Sequence, residues 1–249
     1  MRQPVRVWED VYLIGSAELS HPYDCCVYLI NAGELVLIDA GAGQSFEHLV
    51  ENILALGFTP EKLSAVIVTH CHIDHVGALA RFRQEYGVKT IAHELDAQAI
   101  ETGKWVGAEF YGVDCQPCPV DTRLEKAEHN LRFAKYELKA VHIPGHTQGS
   151  IAVYVDISGK RVLFGQDIHG PYEVAWGGDI RQAVVSLQKL IDLKADILCE
   201  GHFDVYQPAS EVRRYIEGYL CQLQRRMTGE HQALLTNSTS SVSHGISRQ

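Results

Sequence analysis

Within six residues the chain places four side chains able to hold a metal ion: His70, His72, Asp74 and His75. They follow the apolar run Ala65-Val66-Ile67-Val68, which reads as a buried strand ending in a ligand-bearing turn. On a helix His70 and His72 would point about 200° apart, whereas a turn leaving a strand can aim both imidazoles at one point. The ion is therefore expected at the carboxyl end of a strand. Asp74 and His75 open the helical pattern Val76-Gly77-Ala78-Leu79-Ala80-Arg81-Phe82, so Asp74 is expected to cap a helix while offering its carboxylate to a metal. Three more candidates stand just beyond extended segments: His146 in Pro144-Gly145-His146-Thr147-Gln148-Gly149, Asp167 after Phe164-Gly165-Gln166, and His202 after Glu200-Gly201. Asp39 likewise closes a strand, before Ala40-Gly41-Ala42-Gly43. Cys71 should point away from an ion that His70 and His72 face, and Ser150, which opens a strand, reads as structural.

The elements that must position these residues begin with short strands at 5–8 and 11–14, then a hairpin of 25–30 and 34–39 across Asn31-Ala32-Gly33. A helix from Ser45 to about Leu56, the strand 65–70, a helix over 75–86, a strand over 89–93 and a helix from Glu94 to about Thr102 follow. From Gly103 to about Arg132 the periodicity lapses, and Trp105, Phe110, Tyr111, Pro117 and Pro119 read as an irregular insertion that covers a site or meets a second subunit. Strands then return at 134–138, 140–143, 150–156 and 161–164, fitting a second sheet better than one long one. A helix over 180–193, a strand over 196–199 and an amphipathic helix over about 209–227 complete the pattern. Residues 1–230 thus read as a single domain and 231–249, rich in Ser and Thr, as a disordered tail.

A length of 249 residues with 46% apolar content suits one large domain with a substantial core. The formal charge of −9, without a run of Lys or Arg, speaks against nucleic acid as a partner. Arg2, Arg6, Glu9, Asp10 and Glu18 interrupt the start of the chain, and eighteen apolar residues nowhere run together, so no membrane partner and a cytoplasmic location are expected. Seven scattered cysteines do not form a disulfide framework; Cys115-Gln-Pro-Cys118 has the spacing of a redox or zinc pair but lacks a second pair.

With these pieces in view, the chain from about 5 to 225 resembles the metallo-β-lactamase superfamily, whose signature is His-x-His-x-Asp-His, a Gly-His-Thr turn, a strand-end Asp and a late Gly-His. The resemblance implies a four-layer αβ/βα sandwich of two mixed sheets with a metal site at one edge. It also implies that His70, His72 and His146 bind one metal, that Asp74, His75 and His202 bind a second, and that Asp167 bridges them, with Asp39 orienting a ligand imidazole. Two divalent ions, zinc first with iron or manganese as alternatives, would lower the pKa of a bound water toward ~7 and polarise a carbonyl under attack by the bridging hydroxide. The expected substrate is a small thioester, lactone or related ester. The Thr-His-x-His-x-Asp-His and Pro-Gly-His-Thr-x-Gly pieces are more similar to the glyoxalase II and lactonase branches than to the antibiotic-hydrolysing lactamases. Only 47 residues follow His202, however, too few for the helical glutathione-binding extension of glyoxalase II. An iron persulfide dioxygenase with a related ligand set is the main alternative, ahead of a β-lactam hydrolase or a metal-stabilised scaffold. Pocket walls are sought in His169, Tyr172, Trp176, the insertion aromatics, His21 and Tyr23, with Tyr172 and His169 as candidate proton donors beside Asp74 and Asp167.

Overall fold

Alternation along the strands sorts the apolar residues into three layers of core. In the hairpin, Leu29, Leu35 and Leu37 face one way while Tyr28, Ile30, Val36 and Ile38 face the other. Because successive side chains of a strand point to opposite faces, this pattern requires packing on both sides of the sheet. The computed structural model, which describes residues 3–240 with side chains through 229, shows what packs there.

The first sheet has seven strands in sequence order: β1 Val5–Trp8, β2 Val11–Gly15, β3 Val27–Asn31, β4 Leu35–Ile38, β5 Leu63–Ile67, β6 Lys89–His93 and β7 Thr122–Leu124. Pairing is antiparallel from β1 to β4 and parallel from β4 to β7. On its outer face lie α1 Phe46–Ala55, α2 Ile73–Val76, α3 Leu79–Tyr86 and α4 Glu94–Thr102, followed by the one-turn α5 Ala108–Tyr111. Phe46, Leu49, Ile53, Leu79, Phe82 and Ile100 from these helices fill the first core layer. The second sheet comprises β8 Glu128–Arg132, β9 Glu137–His142, β10 Ile151–Ile157, β11 Lys160–Gln166, β12 Ile197–Glu200 and β13 Val205–Tyr206, in the order β13-β12-β11-β10-β9-β8. Only β11 and β12 pair parallel in it. Its inner residues Val153, Val155, Val162 and Phe164 meet the first sheet, and its outer residues Ala152, Leu163 and Leu198 receive α6 Ile180–Asp192 and α7 Ala209–Ser240. The result is helix, sheet, sheet, helix, the expected αβ/βα sandwich.

Several boundaries differ from the expectations. The helix over 75–86 is two helices, separated at Gly77-Ala78, and Gly77 lets the Ala42 backbone pass close by, since a Cβ there would stand 2.2 Å from the Ala42 carbonyl carbon. Asp74 does not cap α2; His72 occupies that position with extended backbone, and Asp74 lies in the first turn. The strands expected at 134–138 and 140–143 are the single β9, since 133–136 form the turn from β8. The end of the expected insertion carries β7 and β8, which place one edge strand on each sheet. α7 continues to Ser240 through the start of the expected disordered tail, while 241–249 lie outside the described residues. No described helix is long and apolar enough to cross a membrane.

Candidate metal centre

The ligand residues leave the sheets at one edge. His70 follows β5, His72, Asp74 and His75 start α2, His146 sits between β9 and β10, Asp167 follows β11, and His202 follows β12. Both sheets therefore contribute.

Three nitrogens converge first: His70 Nε2 lies 3.1 Å from His72 Nδ1 and 3.2 Å from His146 Nε2, which is itself 2.9 Å from His72 Nδ1. A second set stands beside it, with His202 Nε2 3.1 Å from Asp74 Oδ2, His75 Nε2 3.5 Å from the same oxygen, and the two nitrogens 3.4 Å apart. Asp167 reaches both sets. Its Oδ2 is 3.4 Å from His146 Nε2 and 3.3 Å from His202 Nε2, and its Oδ1 is 3.4 Å from His75 Nε2. The seven residues that the resemblance named thus come together at one place in the fold.

Neighbouring groups fix which ring nitrogens face inward. His146 Nδ1 donates to the Pro171 carbonyl at 2.7 Å, and His75 Nδ1 donates to Asp39 Oδ2 at 2.8 Å, leaving each Nε2 directed at the cluster. Asp39 is held in turn by the Thr69 backbone N–H and hydroxyl, both at 2.7 Å. Burial keeps His70 well below the ordinary imidazole range, lowers His146, and takes His72 down to about 3, so these three are neutral. Burial also opposes protonation of His75 and His202, but Cys25 and the carboxylates of Asp74, Asp167 and Asp39 outweigh it for His75, and Asp167 and Asp74 carry His202 up to about 10. Burial opposes ionisation of Asp74 and Asp167 too, yet the surrounding imidazoles hold both carboxyls below their ordinary value.

Such a site demands positive charge. Lone pairs of three neutral imidazoles meet at one point, and Asp167 Oδ1 is buried without a hydrogen-bond partner. Nitrogen and carboxylate donors in these sets suit divalent zinc, with iron or manganese also compatible in donor type.

A family model described as the metallo-beta-lactamase superfamily matches residues 22–202. The chain belongs to the metallo-β-lactamase superfamily. It is similar to a probable metallo-hydrolase of Methanocaldococcus jannaschii, 27% identical over 75% of this chain and 87% of that protein. An acyl-coenzyme A thioesterase of Gallus gallus is 26% identical over 78% of this chain and 77% of its own. Among solved structures, a class B3 di-zinc metallo-β-lactamase from an Alaskan soil metagenome superposes with a TM-score of 0.74 at 26% identity, covering 90% of this chain and 92% of that one. Within the superfamily this chain is a hydrolase with a His/Asp cluster able to hold metal.

Above the cluster opens a cavity of about 730 Å³, into which His72, Asp74, His146, Asp167 and His202 project from below. Trp105, Phe110, Tyr111 and Trp176 line it as expected. His21 and Tyr23 do not; Tyr23 instead packs edge-on to Tyr111 at 5.3 Å between ring centroids. Of the two candidate proton donors, His169 lines the cavity and holds Glu200 Oε1 through Nδ1 at 3.0 Å. Tyr172 turns away: its phenol is buried and donates to the Ile168 carbonyl at 2.5 Å, so its proton is already committed. Cys71 packs in the outer core, its side chain away from the cluster, and Ser150 hydrogen-bonds the Thr147 backbone and hydroxyl, a structural part. Cys115 and Cys118 are free thiols, with Cys118 against the Thr90 hydroxyl.

One residue had no forewarning. Asp96, in the first turn of α4, accepts from the Cys71 N–H (2.9 Å), the Thr147 hydroxyl (2.8 Å) and the Gly149 N–H (2.8 Å). It ties the loop bearing His70 and His72 to the loop bearing His146. Glu200 plays a matching part by accepting the backbone N–H groups of His202 and Phe203.

Proposed function

We propose that the chain is a dinuclear metal-dependent hydrolase acting on the carbonyl of a small thioester, lactone or related ester. The observation that carries this reading is the position of the Asp167 carboxylate, within 3.4 Å of nitrogens from both ligand sets. Two divalent ions held there would acidify a water toward a pKa of ~7 and polarise the carbonyl under attack. The protein's share is orientation. Asp39 and Pro171 fix the rings of His75 and His146, and Asp96 holds the two loops that carry the first set in register. In the reaction the acyl carbon gains a hydroxyl group, its bond to sulfur or oxygen breaks, and the leaving thiol or alcohol takes the remaining proton of water. Aromatic side chains wall the cavity in which the reacting carbonyl would lie over the cluster.

Metal analysis of protein expressed with defined metal supply tests the reading. Two equivalents of zinc per chain with hydrolysis of simple thioesters or lactones is the expected result. One iron per chain with oxygen uptake on persulfides would overturn it.

A further inference from the structure

Resting on the hydrolase reading, we infer that the cavity is an acyl subsite for substrates with an uncharged leaving group, closed on one side by an aromatic clasp of Phe110 and Trp176. These rings come from separate segments, α5 and the turn at Val174–Trp176, and meet at 5.2 Å between centroids with their planes 48° apart. Trp176 also stands edge-on to His72, 6.2 Å away. It therefore joins the ligand cluster to the outer wall, and a chain leaving a carbonyl over the cluster on this side runs beside it. Leu95 and Ala99 of α4 also line the cavity.

These walls leave large apolar groups in water: Phe110 is 64% exposed, Leu95 56% and Trp176 42%. Grouped around one cavity mouth, such surface marks a binding site rather than scattered surface residues. Covering it with alkyl chain gains up to about fourfold in affinity per methylene buried.

Charge decides the other end of the substrate. Acidic side chains lining the cavity are Asp74, Asp96, Glu109 and Asp167, and among the described residues no Lys or Arg lines it. The metal ions would be the cations available, and the carbonyl takes them. A leaving group carrying several phosphates, such as coenzyme A, finds no cationic side chain in these walls, whereas a neutral thiol or alcohol is accommodated without an unpaired charge. The cavity thus argues against the substrate named for the Gallus gallus relative.

Binding is measured by calorimetry on zinc-loaded protein, using ketone analogues in which a methylene replaces the thioester sulfur, so that turnover does not interfere. Three probes serve: the butyryl and octanoyl analogues of the N-acetylcysteamine thioesters, and the octanoyl analogue of the coenzyme A thioester. The octanoyl neutral analogue should bind at least tenfold more tightly than the butyryl, and at least tenfold more tightly than the coenzyme A analogue. Trp176→Ala and Phe110→Ala, both at exposed positions, should reduce the chain-length ratio below threefold with metal content unchanged. Equal affinity for the neutral and coenzyme A analogues, or a chain-length ratio untouched by both substitutions, overturns the subsite. The parent thioesters separate the two claims: binding ratios as expected without hydrolysis would leave the subsite standing and remove the hydrolase reading, and hydrolysis without either preference would do the reverse.

Discussion

At the scale of single residues, what matters is which carboxylate holds what. Asp167 faces both ligand sets, so Asp167→Ala should weaken binding of the second metal most and leave the first bound more loosely; two metals at unchanged affinity would remove Asp167 from the bridging position. Asp39 touches no ion's place directly but fixes the His75 ring, so Asp39→Asn should reduce metal affinity or activity by ~10–100-fold, read by metal titration. Asp96→Asn exchanges an acceptor oxygen for an NH₂ that faces an N–H or hydroxyl donor, a change of roughly 1–3 kcal/mol. Its effect should fall on the set built from His70, His72 and His146 and spare the other, which two-step metal titration resolves. The seven candidate ligands stood out in the sequence because His and Asp recur just beyond extended segments, and the structure brings them together. Asp96 was not, since an acidic residue in a first helical turn looks like ordinary capping, and only the fold brings Gly149, 53 residues away, to its carboxylate. Tyr172 misled for the complementary reason: residue type showed a usable phenol, but its direction depends on the backbone path through Ile168 and Gly170.

Among the elements, those bearing the two ligand sets differ in what they ask of protons. Set one rests on loops packed so that burial keeps its imidazoles neutral, with His72 held down to about 3. Set two, on α2 and after β12, is crowded by carboxylates that raise His75 and bring His202 up to about 10. A metal entering set two must displace protons at neutral pH, whereas one entering set one finds lone pairs ready. Affinity at set two should therefore rise with pH through 7 to 9 with measurable proton release, while affinity at set one stays nearly flat. Calorimetry in buffers of different ionisation enthalpy checks this, and equal proton release for both metals would contradict it. Element types were readable from periodicity, but β7 and β8 were not, for edge strands of three and five residues with mixed polarity carry too little alternation. The break between α2 and α3 was equally hidden, and so was the approach of Ala42 to Gly77 beside it, which only the fold brings about.

For the whole molecule, the centre is a joint between two sheets. Asp39, His70, His72, Asp74 and His75 come from the first sheet and its connections, while His146, Asp167 and His202 come from the second. The four-layer arrangement was implied by the resemblance, since periodicity suggested only a second sheet; in the structure the buried strands alternate toward three core layers, a pattern that needs no ion. Metal should therefore add to stability rather than create the fold. At free metal near 100 times Kd each site contributes about 2.7 kcal/mol, or roughly 5–10 °C in Tm for a chain of this size. Chelation should lower Tm by at least that amount while far-UV circular dichroism stays folded at 25 °C. It should also expose a pH dependence that the loaded protein lacks. With metal gone, His202 holds a proton more tightly when folded than when unfolded, so its contribution is complete below pH 6.5 and is lost as pH rises toward about 10. The chelated protein should lose stability steadily across that window, whereas bound metal, having displaced the proton, leaves the curve flatter. Thermal melts of both forms from pH 6.5 to 10 make the comparison, and parallel curves would show that protons and metal do not compete for His202.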